Sequence, residues 1–232
     1  MTDFSSWGPT DDGRIKPDVV SAGTSLFSTI GSGDNAYAYN SGTSMCAPTA
    51  SGSVLLLQEY YASLHGGTFM RSATLKGIII HTADEAGSAA GPDYRFGWGL
   101  MNMEKAAGVI SSNNTDQLIQ ENVLSNGNTY TLPVVASGKG NLTVTLSWTD
   151  PKGTVETANL LNNTTRKLVH DLDVRVKRGA TTYTPWRLNP ASPASAATRG
   201  DNDRDNVEKI EISDVVPGET YTIEITHKGT LQ

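Results

Sequence analysis

One short segment combines a hydroxyl group with features that favour nucleophilic chemistry. Residues 40–48 place Ser44 just before an apolar run with helical spacing. The unpaired N–H groups and the positive dipole end of a helix N-terminus favour negative charge, which suits an alkoxide or an oxyanion. Glycine lets the backbone come close to a bound substrate. The segment therefore offers Ser44 as a catalytic nucleophile, with Gly42 and Thr43 as oxyanion- and substrate-binding residues.

The same residues have a simpler interpretation, in which Thr43 and Ser44 are ordinary helix N-caps. Pro48 is compatible with the predicted helix because we expect it in the first turn, where proline is tolerated. A bare Gly-Thr-Ser sequence is more often a cap than a catalytic site, so the wider context has to decide between the two.

A second candidate site is acidic. Alternation with apolar residues places the carboxylates of residues 171 and 173 on one face of a predicted strand, and a later loop adds three more. The candidate ligands are Asp171, Asp173, Asp201, Asp203 and Asp205. Because Ca²⁺ takes six to eight oxygen ligands, these residues predict a calcium site. The alternative is a solvated loop whose charge Arg199 and Arg204 balance, since no glycine follows at EF-hand spacing.

The elements that must position these residues change in character along the chain. Helical spacing predicts helices over residues 47–64, 68–82 and 102–110, the first of them buried and the last with an Asn N-cap. Residues 18–23 predict a short strand that runs into a glycine turn. This mixture of strand and helices indicates an α/β layer arrangement for residues 1–112.

After the polar stretch 111–115 the apolar period becomes two, which predicts a domain boundary and a second domain over residues 118–232. Strands are predicted over residues 129–135, 142–148, 168–177, 181–186, 207–212 and 220–226. Glycine turns connect them and no helical stretch interrupts them. The pattern favours an all-β antiparallel sandwich.

Composition excludes several classes of protein. The net charge of −6 leaves no general phosphate-binding surface, so nucleic acid is not expected as a partner. Cys46 is the single cysteine, which excludes an intrachain disulfide and a cysteine-rich zinc site. No apolar run approaches the ~20 residues of a membrane helix, and the first residues lack the basic and apolar parts of a secretory signal.

Several motifs together resemble one enzyme family. The Gly-Thr-Ser-Met motif at residues 42–45, with Ala-Pro and a long apolar helix after it, resembles the nucleophile segment of the subtilisin-like serine proteases, the subtilase family. Residues 4–23 resemble the family segment that precedes the nucleophile. Residues 75–84 and 96–102 are similar to the closing helix of the family and to the glycine-rich turn before its last helix. The resemblance runs from residue 3 to around residue 110.

This resemblance implies the C-terminal portion of a doubly wound catalytic domain and a Ser-His-Asp mechanism, with Ser44 as the nucleophile that attacks a polypeptide substrate. In the family the Asp and the His precede the Ser. The four histidines of this chain, His65, His81, His170 and His227, all follow it. We therefore expect a missing N-terminal part of the catalytic domain to supply the Asp, the His and the oxyanion-hole Asn, and we expect the isolated chain to be inactive.

A local substitute for the missing histidine would be His81, with Asp84 three residues later on the same helix face. A structural role at a helix end is the preferred interpretation, because a histidine there interacts favourably with the helix dipole.

Residues 118–232 resemble the jelly-roll-like β-sandwich domain appended to some secreted bacterial subtilases, on the Asp-Leu-Asp-Val motif at 171–174, the hairpin around 183–186 and the loop 200–207. The resemblance implies a secreted or cell-surface protein and no organic cofactor. The leading hypothesis is thus a fragment of a calcium-supported serine endopeptidase. The alternative is a non-catalytic surface binding module with a vestigial protease half.

Overall fold

The computed structural model describes residues 1–156 and 160–232. Its elements, in chain order, are β1 (Leu26–Thr29), β2 (Tyr37–Asn40), α1 (Thr43–Leu64), α2 (Ser72–Thr82), α3 (Met103–Ser111), β3 (Tyr130–Val135), β4 (Leu142–Ser147), β5 (Asp171–Arg178), β6 (Thr181–Tyr183), β7 (Trp186–Arg187), β8 (Thr198–Arg199), β9 (Val207–Ile212) and β10 (Thr220–Lys228). The fold is mixed: an antiparallel hairpin and the helices come first, and further antiparallel sheets follow them. Among the described residues, no helix is both long enough and apolar enough to cross a membrane.

Residues 1–111, the helical part, contain the predicted helices with shifted ends. α1 begins at Thr43, before the predicted start, and α2 begins at Ser72, after it. Asn102 caps α3 as expected, because its side chain accepts a hydrogen bond from the Lys105 N–H. The helices meet in a cluster of buried apolar residues: Leu57, Met70, Ile78, Ala106 and Ile110. The prediction that α1 is a buried helix was wrong, because Leu57 is its one buried residue.

Extended structure in the helical part differs from the prediction. The strand expected over residues 18–23 is reduced to a single parallel bridge between Val20 and Leu100. β1 and β2 form an antiparallel hairpin that the sequence analysis missed. Hydrogen bonds from the Val20 N–H to the Gly99 carbonyl, 2.9 Å, and from the Met101 N–H to the Val20 carbonyl, 2.9 Å, attach the 18–23 segment to the chain that leads into α3.

Residues 130–228, the β region, contain antiparallel strands at the predicted places. β9 covers the predicted residues 207–212, whereas the strand predicted over 181–186 divides into β6 and β7, and β8 was missed. One sheet has the order β3-β10-β5-β6, and β4 pairs with β9 and β7 with β8. Side chains from the four-stranded sheet and from β9 meet in a cluster that contains Val174, Val176, Ile210, Ile212 and Tyr221. Period-two spacing thus correctly groups Val174 with Val176 and Ile210 with Ile212 on the sides that face this core.

The helical part and the β region pack against each other over an interface that we call the junction. Its apolar centre combines Ile15, Ile80, Tyr94 and Trp98 with Val207 of β9. A buried hydrogen bond crosses it, from the Ile15 N–H to Asp205 Oδ1 at 2.8 Å. Lys76 of α2 also donates to Asn206 Oδ1 at 2.9 Å. The division into domains at residues 112–118 stays a prediction, and extensive packing crosses it.

Candidate active site

Ser44 lies at the N-terminus of α1 with its side chain exposed. The N-cap of α1 is Gly42, and no side chain caps it. The interpretation of Thr43 and Ser44 as N-caps is therefore wrong, because both residues lie inside the first turn. Within residues 1–156 and 160–232 the Ser44 hydroxyl has no hydrogen-bond partner. A hydroxyl that is exposed and unengaged is available to a substrate.

The backbone around Ser44 gives this end of α1 its chemical character. The N–H groups of Met45 and Cys46 donate to the Gly42 carbonyl at 3.1 and 3.2 Å. The N–H groups of Thr43 and Ser44 come before these donors and have no helical acceptor, as is normal for the first positions of a helix. Two N–H donors at the positive end of the helix dipole therefore flank the exposed hydroxyl. Such an arrangement stabilises an oxyanion that forms beside Ser44.

A close contact between two backbone segments holds this loop in place. The Gly42 N–H donates to the Gly23 carbonyl at 2.8 Å. A Cβ atom on residue 23 would lie 2.8 Å from the Gly42 carbonyl oxygen and 2.9 Å from Cys46 Cβ, so only glycine fits at that position. Ser21 Oγ also donates to the Cys46 carbonyl at 3.2 Å. The 18–23 segment thus positions the N-terminus of α1.

Pro48 lies in the second turn of α1 and not in the first, which corrects the expectation from the sequence. The expected helix start was set by the first apolar residues, whereas the actual first turn is polar. Proline has no N–H, so the Ser44 carbonyl lacks the donor that residue 48 would normally give it. In the next position, Thr49 Oγ1 donates to the Met45 carbonyl at 2.9 Å. The usual hydrogen-bond ladder is therefore interrupted directly at Ser44.

The four histidines are all engaged elsewhere. Their partners are the Tyr61 carbonyl for His65 at 2.8 Å, Thr145 Oγ1 for His81 at 3.0 Å, the Gln232 N–H for His170 at 3.0 Å and the Gly127 N–H for His227 at 2.7 Å. His65 follows the last residue of α1, roughly 30 Å from Ser44 at 1.5 Å per residue. Among the described residues, no histidine bonds to Ser44.

His81 and Asp84 do not form a base and its orienting partner. The Asp84 carboxylate accepts hydrogen bonds from Asn102 Nδ2 at 2.8 Å and from Lys105 Nζ at 2.5 Å. Burial, together with the nearby Lys209, lowers the pKa of His81 to about 4. His81 is therefore a neutral residue of the junction and has no contact with a nucleophile.

The five candidate calcium ligands divide into three groups. Asp171, Asp173 and Asp201 share the ammonium of Lys228. Asp203 is exposed and pairs with Arg166 at 2.8 Å. Asp205 is buried in the junction, where it accepts hydrogen bonds from the backbone of Ile15 and from Asn202 Nδ2. The structure thus brings together three of the five, and calcium at this set stays a prediction.

The residues that surround these carboxylates differ from those that the sequence suggested. Arg199 lies over the Trp186 ring, 3.4 Å from its centroid, and Arg204 donates to backbone carbonyls of Asp12 and Thr164. Arg175 instead bridges Asp173 and Asp201, with its Nη2 at 2.8 Å from each. Sequence analysis also missed Glu208, a buried carboxylate of β9 that lies next to this group.

The sequence is similar to a known protease family and to several individual proteins. The model of the subtilase family matches residues 1–99. A C5a peptidase of Streptococcus pyogenes is 48% identical over 61 residues, which are 26% of this chain and 5% of that protein. The Serine protease/ABC transporter B family protein tagA of Dictyostelium discoideum is 27% identical over 192 residues, 69% of this chain and 11% of that protein. A PII-type proteinase of Lactococcus lactis subsp. cremoris is 34% identical over 80 residues, 34% of this chain and 4% of that protein. The chain thus matches only a small share of the length of these relatives.

Proposed function

The chain carries a subtilase-like segment over residues 1–99, and from this premise we propose that Ser44 is the nucleophile of a serine endopeptidase. In this proposal Ser44 Oγ attacks the carbonyl carbon of a peptide bond and gives its proton to a histidine from outside the described residues. The amine leaves with that proton, and water then releases the acyl group from Ser44. The observation that carries the proposal is the exposed, unengaged hydroxyl at the N-terminus of α1.

The backbone beside Ser44 has a role in the same mechanism. The Ser44 N–H points from a helix N-terminus and has no helical acceptor, so we assign it to the developing oxyanion. We assign Gly42 and Thr43 to contacts with the main chain of the substrate, because Gly42 is the N-cap of α1 and Thr43 is an exposed residue of its first turn.

The β region serves as a support in this proposal. We assign it to an antiparallel, jelly-roll-like sandwich, and the cluster that joins side chains of β5 and β10 with those of β9 supports this assignment. The protein would act on polypeptides outside the cell or at a bacterial cell surface. The names of two bacterial relatives, C5a peptidase and PII-type proteinase, support the choice of substrate class.

The first test is the activity of the 232-residue chain alone. We expect no hydrolysis of a fluorogenic peptide and no labelling of Ser44 by a serine-directed phosphonate, because the described residues offer no proton acceptor to the hydroxyl. Stoichiometric labelling of Ser44 in the isolated chain would contradict this expectation.

The second test uses the product of the complete gene. We expect peptide hydrolysis that Ser44→Ala abolishes and that Ser51→Ala leaves unchanged, since Ser51 is another exposed hydroxyl of α1. Hydrolysis that survives Ser44→Ala would refute the proposal.

The lack of a base near Ser44 among the described residues favours one alternative, a surface binding module with a vestigial protease half. The two candidates differ in a simple observation. A gene product that carries an Asp and a His in subtilase contexts before residue 1 supports the enzyme, and a gene product without them supports the module.

A further inference from the structure

A cage of carboxylate oxygens at one end of β5 surrounds a single ammonium group. Lys228 Nζ lies 3.3 Å from each carboxylate oxygen of Asp171, 3.0 Å from Asp173 Oδ1 and 2.8 Å from Asp201 Oδ1. Pairing of β10 with β5 brings Lys228 opposite Asp171. Oxygens from three side chains therefore converge on one point, as they do around a bound cation.

A fourth carboxylate reaches this cage from the interior. Glu208 is 0% exposed, and its Oε2 accepts a hydrogen bond from the Val174 N–H at 2.6 Å. Its Oε1 is buried and, within the described ranges, has no hydrogen-bond partner. One oxygen from each of Glu208, Asp173 and Asp201 lies within 4.8 Å of the other two. Because an unpaired buried acceptor is costly, Glu208 indicates that the cage is built for a further ligand.

The charges of the cage point to a cation with more than one positive charge. Four carboxylates face two close cations, Arg175 and Lys228, and a third cation, Arg166, lies 3.9 Å from Asp171, so negative charge is in excess by one. The local cations therefore do not fully compensate the carboxylates.

We propose that Asp171, Asp173, Asp201 and Glu208 bind one calcium ion, and that the ammonium of Lys228 leaves the cage when the ion enters. The exchange adds positive charge where carboxylates are in excess. The Lys228 side chain is 42% exposed, so it has a path to solvent. Calcium binds oxygens at 2.3–2.6 Å in flexible geometry, so the cage must contract by about 0.5–1 Å. Magnesium is less suited, because it requires near-ideal octahedral geometry.

This site differs from the one that the sequence predicted and is separate from the proposed hydrolysis. Glu208 replaces Asp203 and Asp205 as a ligand, since Asp203 pairs with Arg166 and Asp205 is buried in the junction. Lys228 becomes a built-in competitor of the metal, so the affinity for calcium depends on a residue that is not a ligand.

Calcium titration of the whole chain, after dialysis against a chelator, tests the proposal. Calorimetry should detect one site, and saturating calcium should raise the thermal unfolding midpoint by several degrees, because the ion binds only the folded state. Magnesium at the same concentration should give a smaller rise. The absence of both binding heat and a midpoint shift, in the wild type and in Lys228→Met, overturns the proposal.

Variants identify the ligands. We expect Asp201→Ala and Glu208→Gln to weaken calcium binding at least tenfold, Lys228→Met to strengthen it about tenfold, and the matched control Asp203→Ala to leave it unchanged. Asp201 is 44% exposed at its side chain, so Asp201→Ala remains a fair test if Glu208→Gln fails to fold. Unchanged affinity in Asp201→Ala, or weaker affinity in Lys228→Met, would show that calcium binds elsewhere and overturns the assignment.

Discussion

The β region and the helical part differ in how completely they bury their apolar residues. Val174, Val176 and Ile210 of the β region are each 0% exposed. In α1, by contrast, Leu55 is 69% exposed and Leu56 is 66% exposed, and Leu57 alone is buried. The β region is therefore stabilised by its own packing, whereas α1 is an apolar helix that finds little surface to pack on among the described residues.

The helical part buries apolar residues in two places: among its own helices, where Ala106 is 0% exposed and Ile110 is 2% exposed, and where the β region covers it. Ile80 of α2 is 1% exposed and Ile15 is 2% exposed, and both pack in the junction with Val207 of β9. The α1 helix, which lies outside this cluster, has the exposed apolar residues. The comparison teaches that two clusters stabilise the helical part, one among its own helices and one in the junction, and that Leu55 and Leu56 of α1 belong to neither.

The largest expected effect contrasts the two regions with matched truncations. Ile210→Ala should lower the free energy of unfolding by about 2–5 kcal/mol, because it leaves a cavity in a filled core. Leu55→Ala removes an exposed side chain and should change it by less than about 0.5 kcal/mol. Urea unfolding of both variants measures the difference. Equal losses would break the comparison and place Leu55 in a packed environment.

A pH titration examines the junction through His81. Burial holds the pKa of His81 in the folded protein at about 4, well below the ordinary value of 6.5 for a histidine. The unfolded chain therefore binds more protons between these values, so the stability that neutral His81 provides is complete above pH 6.5 and is lost as the pH falls toward 4. Between pH 7.5 and pH 4, the free energy of unfolding of the wild type should fall by about 3 kcal/mol more than that of His81→Gln.

This experiment compares the unfolding free energies of wild type and variant at each pH. Other buried groups, Asp205 and Glu208 among them, titrate in both proteins, so the difference between the two curves isolates His81. Parallel curves would mean that His81 is solvated, and that the β region does not cover the end of α2.

A smaller effect is expected from the hydrogen bond that crosses the junction. Asp205→Ala removes the acceptor of the buried Ile15 N–H and should lower the free energy of unfolding by about 1–2 kcal/mol. Asp205→Asn keeps an oxygen at the same place and should cost less, while Asp203→Ala at an exposed ion pair should cost less than about 1 kcal/mol. Hydrogen exchange of the Ile15 amide gives a local readout, which should accelerate only in Asp205→Ala. Exchange that is equally fast in all variants would show that this bond does not hold the junction.

Sequence periodicity located the longer elements because a core-facing pattern extends through each of them. Residues 207–212, Val-Glu-Lys-Ile-Glu-Ile, combine β-branched with charged side chains, and β9 has these bounds. The hairpin of β1 and β2 was missed because each strand has four residues, too few for a period to be recognised. Phe27 opposite Tyr39 was a usable signal, since aromatic cross-strand pairs favour a hairpin.

Prediction of the candidate sites was also limited to residues that a continuous local pattern identifies. Ser44 could be found because its segment is local and continuous. Glu208 could not, because a charged residue in an alternating strand is expected to face solvent, whereas β9 is covered on both sides and even Lys209 is 5% exposed. The acidic loop led to the opposite error, in which too many residues were grouped into one site. Asp203 and Asp205 are close in sequence, but Asp203 pairs with Arg166 and Asp205 bonds to the Ile15 N–H in the junction.

The junction also limits how this chain can be recombined with others. Transplanting the strands alone onto another catalytic unit would carry Val207 and Trp186 without Ile15, which packs with them in the same cluster. It would also leave Asp205 without the N–H of Ile15. A functional chimera therefore has to include the loop around residue 15 together with β7 and β9. The segments that must be transferred together are thus far apart in the sequence.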